Sequence, residues 1–162
     1  MKYKDKIKRC FNNIKDSIIK TPLQHNLRLS NKYKTNIYLK REDQQNVRSF
    51  KIRGALNKIN TLTELQIKNG LVCASAGNHA QGFAYTCNKL KLKGDIFVPN
   101  NTPLQKINRI KYFGGNNINI HIDGDTFNQT LNKSLEYSSN NNKSFIHPFD
   151  DKDVIDGQAT IG

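Results

Sequence analysis

The run Leu71-Val72-Cys73-Ala74-Ser75-Ala76-Gly77-Asn78-His79-Ala80-Gln81-Gly82-Phe83-Ala84 decides the fold. Leu71 to Ala74 is a compact apolar stretch between Gly70 and Ser75, the pattern of a strand buried on both faces. Small and polar residues follow. From Ala80 to Leu90 the residues Ala80, Phe83, Ala84 and Cys87 then fall on one side of a helix. A buried strand leading through a short loop into an amphipathic helix is the first half of a βαβ unit, because parallel strands need helices over their faces.

The same alternation extends in both directions. Downstream, Gly94 precedes a strand at Ile96-Phe97-Val98, and Thr102-Pro103 opens a helix carrying Leu104, Ile107 and Ile110. In that start the threonine is the expected cap, and the proline sits in the first turn where its missing N–H does no harm. Gly114-Gly115 ends this helix, Ile118 to Ile122 alternates as a third strand, and Asp123-Gly124-Asp125 turns into a helix presenting Phe127, Leu131 and Leu135. Phe145-Ile146 reads as a further short strand. Upstream, Thr63 and Glu64 open a short helix that Gly70 ends. Ser49 is the expected N-cap of a helix burying Ile52, Ala55, Leu56 and Ile59. Asn36 to Lys40 reads as a short strand, and Ile7, Phe11, Ile14 and Ile18 mark a leading helix stopped at Thr21-Pro22. Strands separated by helices predict an α/β fold with a doubly wound, mostly parallel sheet. Asp151 to Gly162 begins another helix with no strand after it, so the expected architecture is a truncated one.

Composition bounds the function. The 162 residues are 36% apolar, enough for one domain with a sizeable core, while a mean hydropathy of -0.70 gives a very polar surface. No uninterrupted apolar stretch follows Met1-Lys2-Tyr3-Lys4-Asp5-Lys6, so neither a secretory signal nor a membrane span is readable and a cytoplasmic location is expected. Cys10, Cys73 and Cys87 form no C-x-x-C pair, and their odd number argues against a disulfide framework; Cys73 and Cys87 are expected in the core. A net charge of +13 raises nucleic acid as a partner, but the lysines are spread from end to end among asparagines instead of forming an arginine-rich stripe, which favours solvated faces over a nucleic-acid site. His25, His79, His121 and His147 are scattered without ligand spacing, so no metal is expected.

Two loops carry chemistry. Ligands of open α/β sheets sit at the carboxyl ends of strands, which points to Ser75-Ala76-Gly77-Asn78-His79-Ala80-Gln81-Gly82. It offers a hydroxyl, an amide and backbone N–H groups at a helix N-terminus, where a carboxylate or phosphate is favoured, and Gly77 permits close approach of the backbone. The alternative is an ordinary turn in which Ser75 and Asn78 cap the helix and His79 faces solvent. The second loop leads into Ser49-Phe50-Lys51-Ile52-Arg53-Gly54-Ala55. A lysine in a first helical turn feels the positive end of the dipole, which favours the neutral, nucleophilic amine.

Taken together, Ser49 to Ala55 and Ser75 to Gly82 closely resemble the cofactor-lysine and asparagine-loop motifs of the threonine and serine dehydratases, within the tryptophan synthase β-like class of pyridoxal-phosphate enzymes. Lys40-Arg41-Glu42-Asp43, Ile96 to Pro99 with Thr102-Pro103, Gly114-Gly115 and Gly157-Gln158 extend the resemblance through the chain. The Lys40 to Asp43 stretch is most similar to the biosynthetic threonine dehydratases. Ala159 and Gln44 depart from the pattern, where a glycine and an apolar residue are usual.

The resemblance implies that Lys51 is catalytic and binds pyridoxal 5'-phosphate as a Schiff base, with Phe50 beside it and Asn78 hydrogen-bonded to the cofactor's phenolic oxygen. Ser75, Gly77, Asn78 and His79 would receive the substrate carboxylate, the latter through backbone N–H groups in the case of Gly77 and His79. It implies deamination of L-threonine to 2-oxobutanoate, with serine dehydratase or racemase chemistry as the alternative in the family and a non-catalytic basic remnant as the alternative outside it. Residues 1–64 and 149–162 would belong to a larger cofactor domain and 65–148 to a smaller α/β domain. A small-molecule amino acid is the implied partner, with no nucleic acid or membrane, in a homo-oligomer, commonly a tetramer. The family's glycine-rich phosphate loop would lie after residue 162.

Overall fold

A computed structural model describes residues 2–162. In chain order the elements are α1 (Tyr3–Ile14), β1 (Leu23–His25), α2 (Leu27–Tyr33), β2 (Tyr38–Lys40), α3 (Lys51–Asn60), α4 (Glu64–Asn69) and β3 (Leu71–Ala74). Then come α5 (Asn78–Leu90), β4 (Gly94–Val98), α6 (Leu104–Gly114), β5 (Ile118–Ile122), α7 (Phe127–Asn140), β6 (Ser144–Phe145) and α8 (Lys152–Gln158). The four strands β5-β4-β3-β6 form a wholly parallel sheet in that order, so the α/β expectation holds.

The alternation of side chains along each strand divides the core. Leu71, Cys73, Ile96 and Val98 face α5 and α6, packing on Phe83, Ala84, Cys87 and Ile110. Val72, Ala74 and Phe97 face the other way, against Leu131 and Tyr137 of α7. Connections between neighbouring parallel strands are right-handed. The chain therefore lays α5 and α6 on one face while it moves outward to β5, and α7 on the opposite face when it returns to β6 beside β3. Outside α5 lies α3, which also packs on α8, and α1 closes the outer layer through Ile14 against Ile52 and Leu56.

Several local expectations are corrected. Phe50, not Ser49, is the N-cap of α3; among the described residues no side chain caps it, and the buried Ser49 hydroxyl finds no partner. Thr102 likewise does not cap α6: Pro103 holds its N-cap position, and the buried threonine hydroxyl has no partner among the described residues. Helix α7 turns Phe127 and Leu135 outward and buries Thr130, Ser134 and Ser138. Small side chains let that helix lie close to the sheet, and their hydroxyls are satisfied by the helix's own carbonyls and nearby turns. Phe11 is more than a third exposed, and Cys10 and Ile14 are the buried positions of α1. The ribbon of β1 and β2 pairs antiparallel; β1 and α2 were not readable in the sequence because their short spans show no clear period. Among the described residues no helix is long and apolar enough to cross a membrane.

Candidate active site

The order β5-β4-β3-β6 reverses direction between β3 and β6, the switch point at which the carboxyl ends of strands in open α/β sheets border a ligand crevice. Two loops border it: Ser75-Ala76-Gly77 after β3, and Ile146-His147-Pro148 after β6. The N-terminus of α3 reaches the same place because glycines let backbones touch. A Cβ on Gly82 of α5 would stand 3.1 Å from the Ile52 nitrogen and 3.2 Å from the Lys51 carbonyl carbon, so the first turn of α3 rests directly on α5. On the far side of α3, a Cβ on Gly157 would lie 2.8 Å from the Gly54 Cα. Held between two helices, α3 delivers Lys51 to the crevice with no long-side-chain spacer to yield.

The Lys51 Nζ donates to the Pro148 carbonyl at 2.7 Å and stands 5.6 Å from the centre of the Phe50 ring. Partial burial lowers its pKa below the usual lysine range, since desolvation disfavours the charged form. Desolvation acts in the same direction as the helix dipole argued from sequence. Lys58 and Lys143 provide the contrast: each meets a carboxylate, and each is held above the usual range although burial opposes it. Among the described residues no carboxylate pairs with Lys51.

Across the crevice, the Ser75 hydroxyl accepts the Gly77 N–H at 3.1 Å and so folds the loop, while its own proton remains free to be donated. Asn78 is exposed at the first position of α5, whose N-terminus has no side-chain cap, and a Cβ on Gly77 would meet nothing within 4 Å. Thus Ser75 and Asn78 are not caps. Nor does His79 face solvent. It is buried, and its Nε2 donates to the Ile146 carbonyl at 3.0 Å, which fixes the tautomer and leaves Nδ1 without a partner among the described residues. Burial pushes its pKa down to about 4.

A primary amine kept from carboxylates beside an exposed aromatic ring, together with a helix N-terminus that no side chain among the described residues caps, suits a cofactor with an aldehyde and a substrate with a carboxylate. The family model described as pyridoxal-phosphate dependent enzyme matches residues 14–162. The chain belongs to that family. Its cofactor is pyridoxal phosphate, and the residues around Lys51 fit it. The biosynthetic L-threonine dehydratase of Halalkalibacterium halodurans is 49% identical over 149 residues, which cover 92% of this chain and 36% of that relative. The chain therefore spans little more than a third of the length of the curated relatives it matches. The processed form of threonine deaminase isoform 2 from Solanum lycopersicum superposes with a TM-score of 0.86 at 38% identity, covering 97% of this chain and 44% of that one. Maize serine racemase gives a TM-score of 0.90 at 28% identity, covering 97% and 47%.

The family motifs also support one another in space. Arg53, 2% exposed, makes a two-pronged contact with Glu42, with both nitrogens 2.8 Å from its carboxylate, and reaches the Thr160 hydroxyl at 3.2 Å. Burial tends to raise the pKa of Glu42, but the hydrogen bonds from Arg53 and Thr21 outweigh it and hold the group below the usual carboxylate range. This pair joins the Lys40 to Asp43 stretch to the lysine helix and to the turn that follows α8. The carbonyls of Ile146 and Pro148 were missed by sequence reasoning, since a backbone carbonyl carries no residue-type signal.

Proposed function

We propose that this chain forms the lysine-bearing and carboxylate-binding part of a lyase that converts L-threonine to 2-oxobutanoate and ammonia. The observation that carries the proposal is the Lys51 amine, desolvated and held by a backbone carbonyl at the strand-order reversal. The named activity of relatives about half identical to this chain supports threonine as the substrate. Lys51 holds the cofactor, Phe50 packs beside it, and Asn78 hydrogen-bonds it. The free proton of Ser75, the Asn78 amide and the His79 N–H bind the substrate carboxylate, joined by the Gly77 N–H once it turns from the Ser75 oxygen that it meets in this structure. When bound, pyridoxal phosphate supplies the electron sink that makes the Cα proton removable. Lys51, displaced by the substrate amine, is placed to take that proton as a neutral base. Departure of the β-hydroxyl as water, and hydrolysis of the resulting imine, account for all atoms of the two products.

In this reading residues 65–148, which hold the whole parallel sheet and helices α5 to α7, are the smaller domain, and 1–64 with 149–162 belong to the larger one. The protein is cytoplasmic and homo-oligomeric, a tetramer by analogy with its family. Likeness to maize serine racemase favours serine as the second substrate to try.

The test is visible absorption by the chain mixed with pyridoxal phosphate, followed by product assays on threonine and serine. Absorption that disappears in Lys51→Ala, with 2-oxobutanoate formed from threonine, is the expected result. A folded chain whose absorption is unchanged by Lys51→Ala overturns the role of Lys51, and racemised serine in place of 2-oxobutanoate overturns the substrate.

A further inference from the structure

Lys51 and His79 come from different helices, yet both are tied to one short segment. The Ile146 N–H donates to the Val72 carbonyl at 2.7 Å, which fastens the segment to β3. The Ile146 carbonyl takes the His79 Nε2–H at 3.0 Å. The Pro148 carbonyl, two residues along, takes the Lys51 amine at 2.7 Å. Between them the His147 ring folds back, its Nδ1 accepting the Asp150 N–H at 2.7 Å and the Phe149 N–H at 3.3 Å. Pro148 is buried and its ring fixes φ, while the His147 ring holds the two N–H groups that follow, so the Pro148 carbonyl sits in a turn restrained on both sides and anchored at Ile146.

His79 is an expensive choice for a core position. It is 2% exposed, and its Nδ1 finds no partner among the described residues. An apolar side chain would fill the same space without a buried, unpaired nitrogen, so the Ile146 bond is what the imidazole adds. On these grounds we propose that the His79 side chain is a positioning residue for the Lys51 amine, acting through the Ile146–Pro148 strap.

The consequence is geometric. With His79 holding the strap, one N–H of the amine points at Pro148 and the rest of the amine is directed elsewhere, where no carboxylate among the described residues meets it. Without that hold the Ile146 carbonyl loses its donor, the strap can swing toward water, and the amine follows it or is rehydrated. The proposal rests on the reading of Lys51 as the reactive amine, and it assigns the imidazole a part separate from the His79 backbone N–H.

The experiment compares His79→Phe, which keeps the bulk and removes the donor, with His79→Gln, whose amide nitrogen reaches about as far as Nε2. The titration of Lys51 is followed by NMR in the full chain carrying isotope-labelled lysine, with Lys51→Arg assigning the signal. In the parent chain Lys51 should titrate below the ordinary lysine value. His79→Phe should return it to that value and weaken pyridoxal phosphate uptake about tenfold, the size of one lost hydrogen bond. His79→Gln should restore both. An unchanged Lys51 titration in folded His79→Phe overturns the proposal, as does a His79→Gln variant that behaves like His79→Phe. If His79→Phe does not fold, Pro148→Ala, which keeps the carbonyl but frees the strap, carries the same expectation and the same overturning result. Loss of Lys51-dependent absorption in the parent chain would overturn the cofactor role alone, because the amine titration is read without cofactor.

Discussion

At the scale of single residues, two buried groups set the molecule's response to change. His79 has a pKa of about 4 in the folded chain against the usual 6.5, so between these values the unfolded chain binds a proton that the folded chain refuses. Its contribution is complete above pH 6.5 and is lost as the pH falls to about 4, a change of roughly 3 kcal/mol. Urea unfolding across that range should show the decline, and His79→Gln should remove most of it. The Glu42–Arg53 pair responds differently, since removing one partner strands the other charge in the interior. Arg53→Met should destabilise the chain by about 3–5 kcal/mol, whereas adding Glu42→Gln to it should recover a large part. A denaturation cycle over the four proteins measures both numbers.

At the scale of elements, the contacts between helices matter more than the caps that the sequence suggested. Gly82→Ala places a methyl against the backbone of Lys51 and Ile52, where a flexible side chain is not available to yield. The first turn of α3 must move by a few tenths of an ångström, so cofactor absorption should weaken while the melting temperature changes little. Gly157→Ala is the harsher change: its Cβ would stand 2.7 Å from the Arg53 carbonyl oxygen and 2.8 Å from Gly54, and folding itself should suffer. By contrast Leu135, 42% exposed on α7, should accept lysine with a stability change within about 0.5 kcal/mol, as for other surface positions. Thermal melts of these variants separate the helix that positions the site from the helix that only covers the sheet.

At the scale of the whole molecule, acid is the direction from which the fold is vulnerable. Asp95 is buried on β4 and receives His121 at 2.8 Å, Asn119 at 3.2 Å and Lys143 at 2.6 Å, linking β4 to β5 and to the approach to β6. Burial tends to raise its pKa, and these hydrogen bonds more than reverse that effect. The same balance holds Asp151 low through Lys58 and the first N–H groups of α8. With Glu42, Asp95 and Asp151 all below their usual range, the unfolded chain takes up more protons on acidification. Their stability is present above the ordinary carboxylate pKa and is lost as the pH falls through the lower folded values. The net charge of +13 adds self-repulsion that grows in the same direction. Melting temperature against pH should therefore fall steeply on the acid side, and Asp95→Asn should lower the plateau at neutral pH.

The sequence by itself determined the class of fold, the approximate positions of the sheet strands and the family to which the motif around Lys51 belongs. Those features are local: a buried strand needs only its own apolar run, and Phe83, Ala84 and Cys87 needed only helical spacing to be recognised as core. Caps and helix faces were less legible. Ser49 and Thr102 have the residue types of caps, but packing drew their hydroxyls inside, and the inward face of α7 is made of Thr130, Ser134 and Ser138 because closeness to the sheet outweighed hydrophobicity there. Only the tertiary structure decided that β6 returns beside β3, and with it which two loops meet. The carbonyls of Ile146 and Pro148 hold His79 and Lys51 because residues 67 and 97 positions apart in sequence are brought together. Such contacts depend on the path of the backbone, which every residue type shares, and so leave no mark in the order of side chains.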